Sequence, residues 1–138
     1  MTTEPTQVSP TDGGVVMQIG EVAARTELSL RSLRHWEEVG LVRPSGRTEG
    51  GFRLYTEGDV EKILVIRRMK PLGFTLEQMS TAMRDIEALR DHDAEEQHDR
   101  ARTRLIAILA EAADRREKLD IQLAMADEFI RELSQELA

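Results

Sequence analysis

The sequence contains no cysteine, which excludes a disulfide framework, a thiolate metal site and an iron–sulfur cluster and suits a reducing compartment. No apolar run approaches the roughly 18 residues that a membrane span needs, and no hydrophobic leader follows the N-terminus. A cytoplasmic chain with no membrane association is therefore expected. An activated nucleophile, a Gly-rich phosphate loop and a paired carboxylate constellation are all missing, so no enzyme, catalytic residue, metal or cofactor is expected. From Arg100 to the end there is neither glycine nor proline.

A basic excess is also lacking. The net charge is −7 and the pI is near 5.0, which at first argues against nucleic acid. The charge is unevenly placed, however. Residues 17–90 carry 12 Lys/Arg against 11 Asp/Glu, whereas residues 91–138 carry 7 against 13. Six arginines fall within residues 25–53. An acidic chain can still present a locally basic face.

Residues 1–16 are polar, rich in Thr, Pro and Gly, and read as a disordered tail. Ile19–Ala24 opens a short helix. Ser29 then stands as the N-cap of a second, Leu30–Val39, which Gly40 closes as a C′ residue. At 100° per residue, Leu30, Leu33 and Trp36 gather on a packed side, with Trp36 as core rather than a ligand-stacking group. Arg31, Arg34, His35 and Glu38 share the opposite arc, with Glu37 beside the apolar face and paired to a nearby arginine. An apolar back with a cationic front is what a recognition helix needs. Counted as a helix-turn-helix from Ile19, small Ala23 falls where the helices touch, and Leu28, Leu33 and Trp36 fall on buried positions. Glu27 falls at the tight turn, where a residue other than glycine costs about 1 kcal/mol.

Arg47–Tyr55 places Gly50 and Gly51 between strand-like flanks, a hairpin turn. Phe52 and Leu54 alternate with Arg53 and Tyr55, one pair packing and the other reaching outward. Thr56-x-x-Asp59 opens a third helix, which Pro71 ends by Lys70. Thr75-x-x-Gln78 opens a fourth, and Met79, Met83 and Met125 read as core filler rather than as the lining of a drug pocket. Asp91–Asp99 is a polar junction, and His92 and His98 within it read as solvated rather than metal-binding.

Three spaced segments, IGEVAARTELSLRSLRHWEEVGLV, RTEGGFRLYTEGDVEKI and LGFTLEQM, resemble the DNA-binding domain of the MerR family of transcription regulators. The resemblance covers residues 17–90. It implies a winged helix-turn-helix with a small β-hairpin wing, binding double-stranded DNA. Ser29, Arg31, Arg34 and His35 would be recognition-helix contacts to DNA. Arg47, Arg53 and Tyr55 would be wing contacts to the backbone. The sequence departs from the family at Glu27, where glycine is usual, at His35 and Trp36, where two tyrosines are usual, and at Pro71.

After residue 104 the apolar positions follow a 4,3 rhythm. Leu105, Leu109, Ala112, Arg116, Leu119, Leu123, Ala126, Ile130, Leu133 and Leu137 form a coiled-coil seam roughly 48 Å long. Nothing else in the sequence is left to cover it, which predicts a homodimer through residues 100–138. The resemblance implies an antiparallel pair, with Arg116 near the middle of the overlap. The expected fold is thus mainly α, a winged helix-turn-helix followed by a long antiparallel coiled-coil helix. The expected function is a nucleoid-associated regulator on an inverted-repeat promoter site, distorting DNA for RNA polymerase. An architectural or excisionase-like DNA binder and a coiled-coil adaptor are the rival readings. The metal- and drug-sensing relatives use cysteines or an appended domain, neither expected here. Activation against repression, and any small-molecule effector, stay open.

Overall fold

The computed structural model describes residues 16–138. The expected tail, residues 1–16, lies outside them except for Val16. Two compact units divide between Met83 and Arg84, inside the fourth helix rather than at the expected boundary after residue 90.

The first unit opens with strand β1 (Val16–Gln18) and helix α1 (Ile19–Thr26). Glu27 then adopts the left-handed conformation at φ 57°, and the Leu28 amide donates to the Ala23 carbonyl at 3.2 Å. That closure lets the chain turn within three residues into α2 (Leu30–Glu38). Ser29 caps α2 as expected, its hydroxyl accepting from the Ser32 amide at 3.0 Å. Gly40 at φ 79° leaves the helix. Leu33 and Trp36 are buried against the core, but Leu30 is 39% exposed. The packed side of α2 is therefore narrower than its periodicity predicts.

Strands β2 (Gly46–Arg47) and β3 (Arg53–Thr56) form the hairpin, with Gly51 in its turn at φ 83°. The sheet has three strands in the order β1-β3-β2. Met17 pairs with Tyr55 on one side of β3, and Arg47 pairs with Arg53 on the other. Helix α3 (Glu57–Met69) starts at a reciprocal cap, in which Thr56 accepts from the Asp59 amide and Asp59 accepts from the Thr56 amide. Ser45 donates to the same Asp59 carboxylate at 2.6 Å. The helix ends at Met69, before Pro71, as expected. A 3-10 turn (Lys70–Leu72) leads to α4 (Leu76–Arg90). Thr75 and Gln78 cap α4 reciprocally, at 2.9 and 3.1 Å. Val22, Leu33, Trp36, Leu54, Tyr55, Ile63 and Ile66 fill the core.

The second unit comprises the end of α4, a 3-10 turn (His92–Ala94) and α5 (Glu95–Glu136). Helix α5 begins ahead of Arg100 and absorbs most of the expected junction. Buried Asp85 accepts from Arg104 Nε at 2.9 Å and Nη2 at 2.7 Å, a bidentate pair that ties α4 to α5. At 42 residues, α5 is roughly 63 Å long. None of the helices in the described residues is long and apolar enough to cross a membrane. A mainly helical chain with a small sheet and a long C-terminal helix is what the sequence predicts.

Candidate nucleic-acid interface

Helix α2 is held from behind by Leu33 and Trp36, which turns Arg31, Arg34, His35 and Glu38 outward, all exposed. They line one concave surface together with Lys70. Lys70 was not anticipated by its sequence. It arrives because Pro71 ends α3 and the 3-10 turn swings back toward α2. Its ammonium lies 5.6 Å from the centre of the Trp36 ring, within cation–π range. Three cations and one imidazole thus share a surface with a single acid.

Ser29 sits at the helix start, where its hydroxyl accepts from the Ser32 amide and donates to the Ser32 hydroxyl at 3.0 Å. Its role in the structure is to fix the N-terminus of α2.

The wing differs more from expectation. Arg47 and Arg53 are both partly exposed, and both engage Glu37 of α2, at 2.9 Å for Arg47 Nη2 and through Nε for Arg53. The pairing of Glu37 was expected; its two partners were not. Tyr55 is 0% exposed and Phe52 is 64% exposed, so these two exchange their predicted sides, while Leu54 packs and Arg53 stays partly exposed as expected. The expected backbone contact from Tyr55 is therefore corrected. Strand β3 lies between two neighbours and under the helices, so Leu54 and Tyr55 are both enclosed. Phe52 precedes the strand and belongs to the turn, where its amide donates to Thr48 Oγ1 at 3.1 Å.

His92 and His98 do not converge on a metal site. His98 Nε2 donates to the Asp91 carbonyl at 2.9 Å. The described residues contain no group of three ligating side chains that could hold an ion.

A helix-turn-helix with a cationic outer face, flanked by an arginine-bearing β wing, defines a winged helix-turn-helix protein. The family model described as MerR HTH family regulatory protein matches residues 17–86, about half of the chain, and the chain belongs to that family. Among curated relatives, the HTH-type transcriptional regulator ZntR of Escherichia coli is 42% identical over 62 residues, covering 45% of this chain and 44% of its own. Such relatives are covered over 28% to 49% of their own lengths. Among solved structures, MtaN, the N-terminus of the Bacillus subtilis multidrug transporter activator, matches with a TM-score of 0.50 at 25% identity. That match covers 88% of this chain and 98% of MtaN. HiNmlR, a MerR family regulator lacking the sensor domain and bound to promoter DNA, shares the fold. Its TM-score is 0.51 at 20% identity, over 81% of this chain and 85% of that one.

Proposed function

We propose that this chain is a sequence-specific, DNA-binding transcription regulator that acts as a homodimer on an inverted-repeat promoter site. The carrying observation is the outer face of α2, where Arg31, Arg34 and His35 project beside Lys70 from a helix locked at its back. Arginine reads guanine edges bidentately in a major groove, and lysine neutralises phosphate without regard to sequence. His35 offers a ring N–H to phosphate. Partly exposed Arg47 and Arg53 offer the backbone a second set of donors from the wing. Two-fold pairing through α5 sets two such readers on symmetric half-sites. The family likeness supports distortion of promoter DNA and work with RNA polymerase as the remaining part of the reading.

The test uses a duplex selected by the wild-type protein from a randomised pool, followed by fluorescence anisotropy. Arg31→Ala with Arg34→Ala should abolish specific binding while leaving the oligomeric state and helicity unchanged. Residual binding should no longer distinguish the selected duplex from a scrambled one, because the lost side chains are the ones that read base edges. Undiminished binding by the double variant would remove α2 as the reader.

A further inference from the structure

Arg47 and Arg53 are direct register partners across the β2–β3 ladder, and residues opposed in an antiparallel ladder project to the same face. Two guanidiniums placed side by side repel and weaken so short a ribbon. One carboxylate from another element relieves this. Glu37, in the last turn of α2, sets Oε1 2.9 Å from Arg47 Nη2 and pairs Oε2 with Arg53 Nε. Only 13% of the Glu37 side chain is exposed, against 48% for Arg47 and 31% for Arg53. The carboxylate is the enclosed member, and each cation keeps part of its surface. Arg47 also donates through Nη1 to the Gly51 carbonyl at 3.1 Å, so the same guanidinium braces the turn.

We propose that Glu37 is a positioning residue for DNA reading, whose carboxylate fixes the wing arginines, and with them the wing, at a set offset from the recognition helix. The inference rests on the DNA-binding reading above. A guanidinium has five donors in a rigid plane. Glu37 holds one nitrogen of each guanidinium and so fixes where each plane lies, and ordering the arginines before DNA arrives removes that cost from binding. Simple electrostatics expects the opposite sign. A carboxylate close to phosphates opposes binding, and deleting it should then tighten binding to every sequence.

A double-variant cycle separates the two. Wild type, Glu37→Gln, Arg47→Ala with Arg53→Ala, and the triple variant are titrated by anisotropy against the pool-selected duplex and a scrambled duplex. Positioning predicts that Glu37→Gln weakens selected-duplex binding by about tenfold, with no loss on the scrambled duplex. In the background lacking both arginines the same substitution should cost nothing. Unchanged or tighter binding to the selected duplex overturns the proposal, and so does an equal loss in both backgrounds. Thermal melting accompanies each variant. Should Glu37→Gln not fold, Glu37→Asp replaces it under the same coupling criterion. A wild-type chain that binds no duplex sinks the DNA reading itself, whereas wild-type binding without coupling sinks only the role of Glu37.

Discussion

Glu27 is the only residue other than glycine with positive φ among the described residues. An L side chain in that region costs about 1–2 kcal/mol, because Cβ crowds the following carbonyl. The turn holds it there, with the Glu27 and Leu28 amides both directed at the Ala23 carbonyl. Its carboxylate meets Arg67 at 3.1 Å, but with 77% of the side chain exposed that pair offsets little. Glu27→Gly should therefore raise unfolding stability by about 1 kcal/mol, after the extra freedom glycine brings to the unfolded chain. The expected signature is a higher urea midpoint at unchanged slope. A midpoint at or below that of wild type would mean the left-handed turn carries no strain for glycine to relieve. Sequence spacing located this residue because a helix-turn-helix fixes the turn by count alone.

Elements whose signals lie within a few residues were legible in the same way. Ser29, Thr56 with Asp59, and Thr75 with Gln78 all cap helices through bonds spanning three residues. Pro71 acts on its own turn. Strand β1 was not legible, because three residues carry no periodicity and its partner, β3, lies nearly forty positions away. Without β1, strand β3 reads as an edge strand and Tyr55 as outward-facing. Glu37 with Arg47 and Arg53, and Lys70 beside α2, are likewise neighbours that only the folded chain creates. The central place of β3 has a measurable consequence at Tyr55. Burial first, and then the charge of Glu37, push its phenol above the ordinary value of 10.0. The folded chain thus holds that proton more tightly than the unfolded chain. Its contribution is complete below pH 10.0 and is lost as pH rises through the folded value. The hydroxyl is buried and has no hydrogen-bond partner among the described residues. Tyr55→Phe should cost no stability near neutrality and gain up to about 1 kcal/mol. It should also lose less than wild type on going to about pH 11. Parallel pH profiles of the urea midpoint would contradict this placement of the ring.

At the scale of the whole molecule, the reader segment and the segment that follows it carry opposite demands. Residues 17–90 are nearly neutral with their arginines concentrated in the reader, while residues 91–138 hold 13 acids against 7 bases. Along α5, the seam residues Leu109, Leu119, Leu123, Ile130, Leu133 and Leu137 are exposed in the single chain, and so are Ile106, Ile121, Met125 and Phe129 beside the expected seam. A lone helix gains little stability from propensity in water, and in the proposed homodimer a second copy would bury these side chains. The pairing would bring two acidic helices together, and added salt screens that repulsion. Salt would therefore act in opposite directions on the two functions. It should weaken DNA binding through counterion competition while leaving the dimer as tight or tighter. Leu123→Asp tests the seam directly, since a symmetric dimer loses two leucines and gains two carboxylates in its interface. The dimer dissociation constant should rise by about a thousandfold or more, read by sedimentation equilibrium. Because Leu123 is 60% exposed in the single chain, the fold of each chain should survive, with circular dichroism of the reader unit intact. Each reader would then hold only one half-site, and binding to the inverted repeat should fall with the dimer. A Leu123→Asp chain that still sediments as wild type would place the dimer contact elsewhere on α5 or remove it.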